Sequence, residues 1–176
     1  AAFQNPEFYK KQSMRLSTAT TPRVIACAEE TPEYMGLPRG CRADLEGLLD
    51  EHGVALDVED RREDGVSVDL GFLGQLTPLQ AEAVEALLAH ETGVLVAPPG
   101  AGKTVMAASL IARRGRSTLV LVHRRVLLDQ WVARLAMFLG VGEKEIGRVS
   151  SGKREVTGSL DVAMLQSLVR KGQVND

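Results

Sequence analysis

Apolar residues recur at helical spacing in three long stretches of the chain and cluster in several shorter ones. The clearest stretch is TPLQAEAVEALLAH, residues 77–90, where Leu79, Val84, Leu87 and Leu88 supply an apolar stripe. Thr77 is of N-cap type, and Pro78 suits the first helical position. KTVMAASLIARRG and RVLLDQWVARLAMFLG predict two further helices, the second with Trp131 in the core beside Leu127, Leu128 and Leu135. The short apolar runs GVLVA, STLVLVH and DVAML predict buried strands around them. Strands alternating with helices at this spacing indicate βαβ crossovers and a parallel sheet with flanking helices, an α/β fold.

Upstream the pattern changes. Residues 1–22 are polar, punctuated by Pro6 and Pro22, and read as a linker with one short helix in PEFYKKQSMRL. They read as a cut made inside a longer chain. Residues 23–71 read as a small β-α-β-β module. RVIACA predicts a strand, CRADLEGLLDEHG a helix stopped at Gly53, VALDVED a strand alternating Val54, Leu56 and Val58, and VSVDL another strand. A boundary near Gly71 and Gly74 separates this module from a domain over residues 72–176.

Composition narrows the class. Apolar residues make up 44% and charged residues 25%, which is a globular composition and excludes a wholly disordered chain. No apolar run approaches the roughly 20 residues that span a bilayer, so no membrane partner is expected. Cys27 and Cys41 give no disulfide framework and no metal spacing, nor do His52, His90 and His123; a reduced, cytoplasmic protein is the default. His52, next to Gly53, fits a helix C-terminal cap. The net charge of −2 conceals a division: residues 29–69 hold thirteen acids against four arginines, and residues 103–171 hold thirteen Lys or Arg against five acids. A polyanion suits the basic half, although charge alone fits two solvated surfaces as well.

The chemistry concentrates at Ala97-Pro98-Pro99-Gly100-Ala101-Gly102-Lys103-Thr104, between a predicted strand and a predicted helix. The spacing is that of a phosphate-binding loop, with Ala97 where the pattern has its first glycine. Pro99, Gly100, Ala101 and Gly102 form the cradle, and the glycines let backbone N–H groups approach phosphate oxygens. The helix that follows presents further N–H groups and a partial positive charge. Lys103 supplies a cation for the β and γ phosphates, and Thr104 a hydroxyl for Mg²⁺ held through the nucleotide. The loop calls for a nucleoside triphosphate without separating a kinase, a GTPase, a transporter ATPase or a helicase.

Other motifs resemble superfamily 2 helicases. Leu76-Thr77-Pro78-Leu79-Gln80, with Gln80 seventeen residues before Ala97, resembles their Q motif, in which the glutamine amide reads the adenine edge. Leu119 to Trp131, LVLVHRRVLLDQW, resembles motif Ia of the branch containing XPB, UvsW and the type III restriction translocases. There a strand ends in a polar segment that touches the nucleic-acid backbone. His123, Arg124 and Arg125 take that place, at the carboxyl end of a predicted parallel strand, where open α/β sheets bind ligands. Ser151-Gly152-Lys153 resembles the glycine turn that contacts the strand, and Ala163 to Leu168, with Gln166 and Ser167, resembles the later segment that grips phosphate. NPEFYKKQSMRLSTATTPRVIACAEE, with LPRG and DVEDRRED, is similar to the segment before the helicase core of TOTE conflict-system proteins, which carry a primase-polymerase domain upstream.

The resemblance implies an incomplete RecA-like domain preceded by the small module, with ATP and Mg²⁺ as ligands and nucleic acid, DNA rather than RNA, as partner. The implied activity is an ATP-dependent helicase or translocase, of which this chain is the ATP-binding front part. No acidic DExH-type motif follows residue 104, so the chain reads as truncated before it and as not catalytically competent alone. The alternatives at this point are a non-catalytic nucleic-acid-binding P-loop module and another P-loop NTPase such as a kinase.

Overall fold

The structure, a computed structural model, describes residues 2–170, 173 and 174, with the side chains of Lys153, Val169, Arg170, Gln173 and Val174 outside that description. The chain forms two compact units, Ala1–Arg61 and Arg62–Asp176. Residues 62–71, grouped by sequence with the upstream module, fall in the second unit.

In the first unit, β1 (Ala2–Gln4) pairs antiparallel with β2 (Val24–Ala26). Helix α1 (Pro6–Ser13) lies between them in sequence. Asn5 starts it: its carboxamide oxygen accepts from the Glu7 N–H at 3.0 Å while its amide donates to the Pro22 carbonyl at 2.8 Å. One side chain thereby caps the helix and ties both ends of the segment that sequence reads as a linker. A short hairpin, β3 (Glu29–Glu30) with β4 (Met35–Gly36), and helix α2 (Arg42–Glu51) follow. His52 is the C-cap of α2, its Nδ1 at 2.8 Å from the Leu48 carbonyl.

The expected β-α-β-β order is not what forms. Residues 54–58 make no strand, and Val54, Leu56 and Val58 are all exposed. Alternation yields a strand only where a neighbouring edge accepts its hydrogen bonds and a face accepts its side chains, and Asp57, Glu59 and Asp60 charge this stretch. VSVDL contributes one antiparallel bridge, Ser67 to Arg116. The strand that does pair with RVIACA is β1, from the stretch read as a linker.

The first helix of the second unit is α3 (Pro78–Leu88), opened by a reciprocal capping box between Thr77 and Gln80, with Pro78 in the first turn. Helix α4 (Lys103–Arg114) ends at Gly115 in the left-handed conformation, and β5 (Thr118–Val122), α5 (Arg125–Leu139), β6 (Gly147–Ser150), β7 (Lys153–Glu155), β8 (Leu160–Met164) and the short α6 (Leu165–Leu168) follow. The short pair β9 (Val169–Arg170) and β10 (Gln173–Val174) comes last. The sheet order is β5-β8-β6-β7; β5, β8 and β6 are parallel and β7 is an antiparallel edge. The parallel α/β expectation is met. The stretch between α5 and β8, which holds Gly142 and Gly147, contains β6 and β7.

The core lies between this sheet and α4 and α5. It joins Ala108 and Ile111 of α4 and Leu128, Val132, Leu135 and Leu139 of α5 to Val122, Leu160 and Val162. Trp131 packs against it, partly buried. Each buried leucine contributes about 2 kcal/mol through lost apolar exposure. The expected strand GVLVA does not form: Val94 and Val96 are 86% and 89% exposed. β5, an edge of the sheet, is laddered only to β8. With no neighbour along 93–97 among the described residues, apolar content alone does not make a strand.

Candidate nucleotide and nucleic-acid site

The loop before α4 has the backbone that its sequence demands. Gly100 and Gly102 have φ of +82° and +81°, in the left-handed region that a Cβ penalises. Nothing lies near the position of a Cβ on Gly100, so its glycine is required by conformation alone. Gly102 is the N-cap of α4 and offers no side-chain cap, which leaves the first-turn N–H groups pointing out of the helix end. Lys103, first residue of the helix, folds over the loop and donates from Nζ to the carbonyls of Ala97 at 2.8 Å and Pro98 at 2.9 Å. Thr104 follows it, half-buried, in the first turn. A glycine cradle, an uncapped helix end and one ammonium group form a site that fits an anion.

Gln80 reaches this loop from α3. Its Oε1 accepts from the Thr77 N–H at 2.9 Å and its Nε2 donates to the Ala101 carbonyl at 3.1 Å. The amide that the Q-motif resemblance assigns to adenine is thus engaged with helix cap and phosphate loop, leaving one N–H and one lone pair. Beside it lies an apolar cavity of about 410 Å³, lined by Leu79, Gln80, Ala83, Ala86, Val96 and Pro98 among others. Helices α3 and α4 are clasped at their far ends. Arg113 binds the Glu85 carboxylate with both terminal nitrogens, and Arg114 Nη2 donates to the carbonyls of Leu87 at 3.3 Å and His90 at 2.6 Å. The hydrogen bond from Arg113 holds the Glu85 carboxyl below its ordinary range.

A second group collects at the carboxyl ends of the three parallel strands. His123 and Arg124 follow β5 and are exposed, Arg124 as the extended N-cap of α5, and Arg125 opens the helix. Arg125 Nη1 donates to Ser150 Oγ at 3.1 Å, at the end of β6, and its Nε lies 3.5 Å from Asp129 Oδ2. Gln166, after β8, donates from Nε2 to the His123 carbonyl at 3.1 Å. The structure therefore brings His123, Arg124, Arg125, Gln166 and Ser167 to one edge. Gly152 follows β6 in the turn to β7, exposed and with φ of +80°. Lys153 belongs to β7 by its backbone, and its side chain lies outside the described residues. The Ser167 hydroxyl is buried and makes no hydrogen bond. Sequence reading missed Ser150 and Asp129; the spacing of Arg125 and Asp129, four apart on a helix, is the signal that points to the second.

The two groups share an end of the fold. Helix α4 runs 12 residues, about 18 Å, away from the phosphate loop, and β5 returns over 5 residues, about 16 Å. The end of β5 therefore comes back to the level of the loop.

Among the described residues no group of three or more His, Cys, Asp or Glu could hold a metal, and no helix is long and apolar enough to cross a membrane. Cys27 and Cys41 are free thiols.

Residues 73–175 match the family described as type III restriction enzyme, res subunit. The DNA 3'-5' helicase XPB of Kineococcus radiotolerans is 35% identical over 113 residues, covering 64% of this chain and 18% of that protein. The DNA 3'-5' helicase XPB of Mycobacterium tuberculosis is 34% identical over 97 residues, 55% of this chain and again 18% of the relative. The chain thus spans less than a fifth of the length of these relatives. In three dimensions it resembles the UvsW helicase from bacteriophage T4, with a TM-score of 0.56 at 13% identity over 94% of this chain and 65% of that one. A second T4 UvsW structure gives a TM-score of 0.58 at 14% identity, over 97% and 38%. At such identity the likeness is one of fold.

Proposed function

The chain belongs to the type III restriction enzyme res-subunit family, in the superfamily 2 branch that includes XPB and UvsW, and from that premise we propose that it is the ATP-binding front part of an ATP-dependent DNA helicase or translocase. The observation that carries this reading is the phosphate loop: two left-handed glycines, an uncapped helix N-terminus and the Lys103 ammonium converge on one anion site. Lys103 exchanges its two loop carbonyls for β- and γ-phosphate oxygens, and the N–H groups of residues 100–104 take the rest of the negative charge. Mg²⁺, when bound, neutralises phosphate charge, and the Thr104 hydroxyl would hold it. The adenine base takes the apolar cavity that Gln80 helps to line, and the remaining N–H and lone pair of Gln80 would read its edge.

The strand-end group, with His123, Arg124, Arg125, Gly152, Lys153, Gln166 and Ser167, is the nucleic-acid side of the same reading. Contacts there fall on the phosphate backbone, so the strand is positioned without being read. DNA rather than RNA is the partner, as the names of the relatives indicate for those proteins. An upstream primase-polymerase domain of the TOTE kind and a cytoplasmic location complete the proposal. Lys103→Ala in the intact protein is the test. Calorimetry is expected to show strongly weakened ATP binding, with DNA-stimulated phosphate release lost. Equal ATP binding by variant and parent would remove the site.

A further inference from the structure

At the strand-end edge the two adjacent arginines differ in what already holds them. Arg124 is extended, exposed and without a side-chain partner among the described residues. The Arg125 guanidinium is divided: Nη1 donates to Ser150 Oγ at 3.1 Å, and Nε lies 3.5 Å from Asp129 Oδ2. Asp129 also faces Arg148 of β6, whose Nη2 donates to Glu143 at 2.6 Å. Ser150 is only 6% exposed.

This division matters because a guanidinium clamps a phosphate with two parallel N–H bonds from one edge of its fork. One edge is Nε with a terminal nitrogen, the other the two terminal nitrogens. With Nε turned to Asp129 and Nη1 to Ser150, each edge has given up a member. The Asp129 carboxylate also offsets the charge that a phosphate would seek. The Ser150 bond ties the turn after β5 to the end of β6, while Gln166, through the His123 carbonyl, ties it to the end of β8.

We propose that Arg125 is a positioning residue: anchored by Ser150 and Asp129, it fixes the β5–α5 turn so that Arg124, not Arg125, presents the phosphate-binding cation. This rests on the nucleic-acid reading of the strand-end edge. It predicts that Arg125 acts through its fork and its buried partner rather than through its charge.

The test measures affinity for a labelled oligo-dT across a salt series in the intact protein, with melting curves as a check on folding. Arg124→Ala is expected to weaken binding roughly tenfold and to lower the salt slope by about 0.7 for one lost single-strand phosphate contact. Ser150→Ala, which removes no charge, is expected to weaken binding about fivefold at an unchanged slope. Arg125→Lys keeps the charge but loses the fork and should behave like Ser150→Ala. The double variant should bind no more weakly than either single one, because both break the same tie. Should Ser150→Ala fail to fold, Asp129→Asn releases the other arm and is expected to show the same loss at parental slope. A parental affinity for both Arg125→Lys and Ser150→Ala, with Arg125→Ala lowering the slope as much as Arg124→Ala, would make Arg125 a phosphate ligand and overturn the proposal. If no variant, Arg124→Ala included, changes affinity or slope, the nucleic-acid reading of the edge falls and takes the proposal with it.

Discussion

Gly102→Ala tests whether the phosphate loop and Gln80 act as one unit. Gly102 has φ of +81°, where a residue with a Cβ loses about 1 kcal/mol. A Cβ there would sit 2.5 Å from Gln80 Nε2 and 3.1 Å from Val105 Cγ1. The first distance is far inside contact, so the amide must leave the Ala101 carbonyl, which costs about 1 kcal/mol for the hydrogen bond. Together the loop conformation loses about 2 kcal/mol, and restoring it on binding weakens ATP roughly thirtyfold. Gln80→Ala alone forfeits the bonds to Ala101 and Thr77 and the contacts to the adenine edge, so its loss should exceed the roughly fivefold of one hydrogen bond. With the amide gone, the clash at Gly102 is also gone, so the double variant should bind better than the product of the single losses predicts. Calorimetric titration with ATP reads all four proteins, and melting curves confirm that each is folded. Gly102→Ala binding within about twofold of the parent, or strict additivity of the two substitutions, would refute the coupling.

Gly147→Ala should damage stability rather than binding. Its Cβ would collide with the buried Asp161 carboxylate across the β6–β8 pair, reaching Asp161 Cγ and the Glu155 carbonyl at 2.8 Å each. That carboxylate accepts from Thr157 N at 2.7 Å, Thr157 Oγ1 at 3.0 Å and Gly158 N at 3.0 Å, so its displacement should cost about 3 kcal/mol, seen as a lower denaturation midpoint. The clasp between α3 and α4 should fail only in acid. Because Arg113 lowers the Glu85 pKa in the folded protein, its contribution is present above the ordinary glutamate range and is lost as pH falls through the lowered folded value. Protection from amide exchange at the end of α3, relative to the intrinsic rate at each pH, should accordingly stay flat from neutral pH into mild acid and fall below it, and Glu85→Gln should abolish that step; a fall between pH values where Glu85 is fully ionised would contradict the assignment.

What sequence could announce was what local chemistry fixes. Thr77, Pro78 and Gln80 start α3, and Gly102 and Gly115 bound α4, through groups within a few residues of one another. The phosphate loop was legible for the same reason. Strands depend on partners distant in the chain. β1 pairs with β2 across α1 and a stretch that looked like a linker, while 54–58 and 93–97 have the right apolar pattern but pair with no strand among the described residues. β6 is four residues, Gly147–Ser150, inside a stretch punctuated by glycines, and its place beside β8 comes from a register that no local pattern encodes.

The site shows a related limit. Gln80, Arg125 and Gln166 look alike in sequence, each a polar side chain at a motif position with hydrogen-bonding capacity to give. In the folded chain all three spend that capacity on the protein: Gln80 on Thr77 and Ala101, Arg125 on Ser150 and Asp129, Gln166 on the His123 carbonyl. The bonds from Gln80 to Ala101, Arg125 to Ser150 and Gln166 to His123 cross from one motif to another segment, so each fixes the geometry of a loop that would otherwise move on its own. The groups left facing outward are of another kind: backbone N–H groups at the start of α4, and the side chains of His123 and Arg124 beyond β5. Polar side chains build the frame, and backbone amides with a few cations are left to meet phosphate. Such an arrangement is pre-organised, since its ligand-facing groups lose little freedom on binding. It also implies that substitutions in the frame should alter affinity without altering the number of charges a bound polyanion displaces.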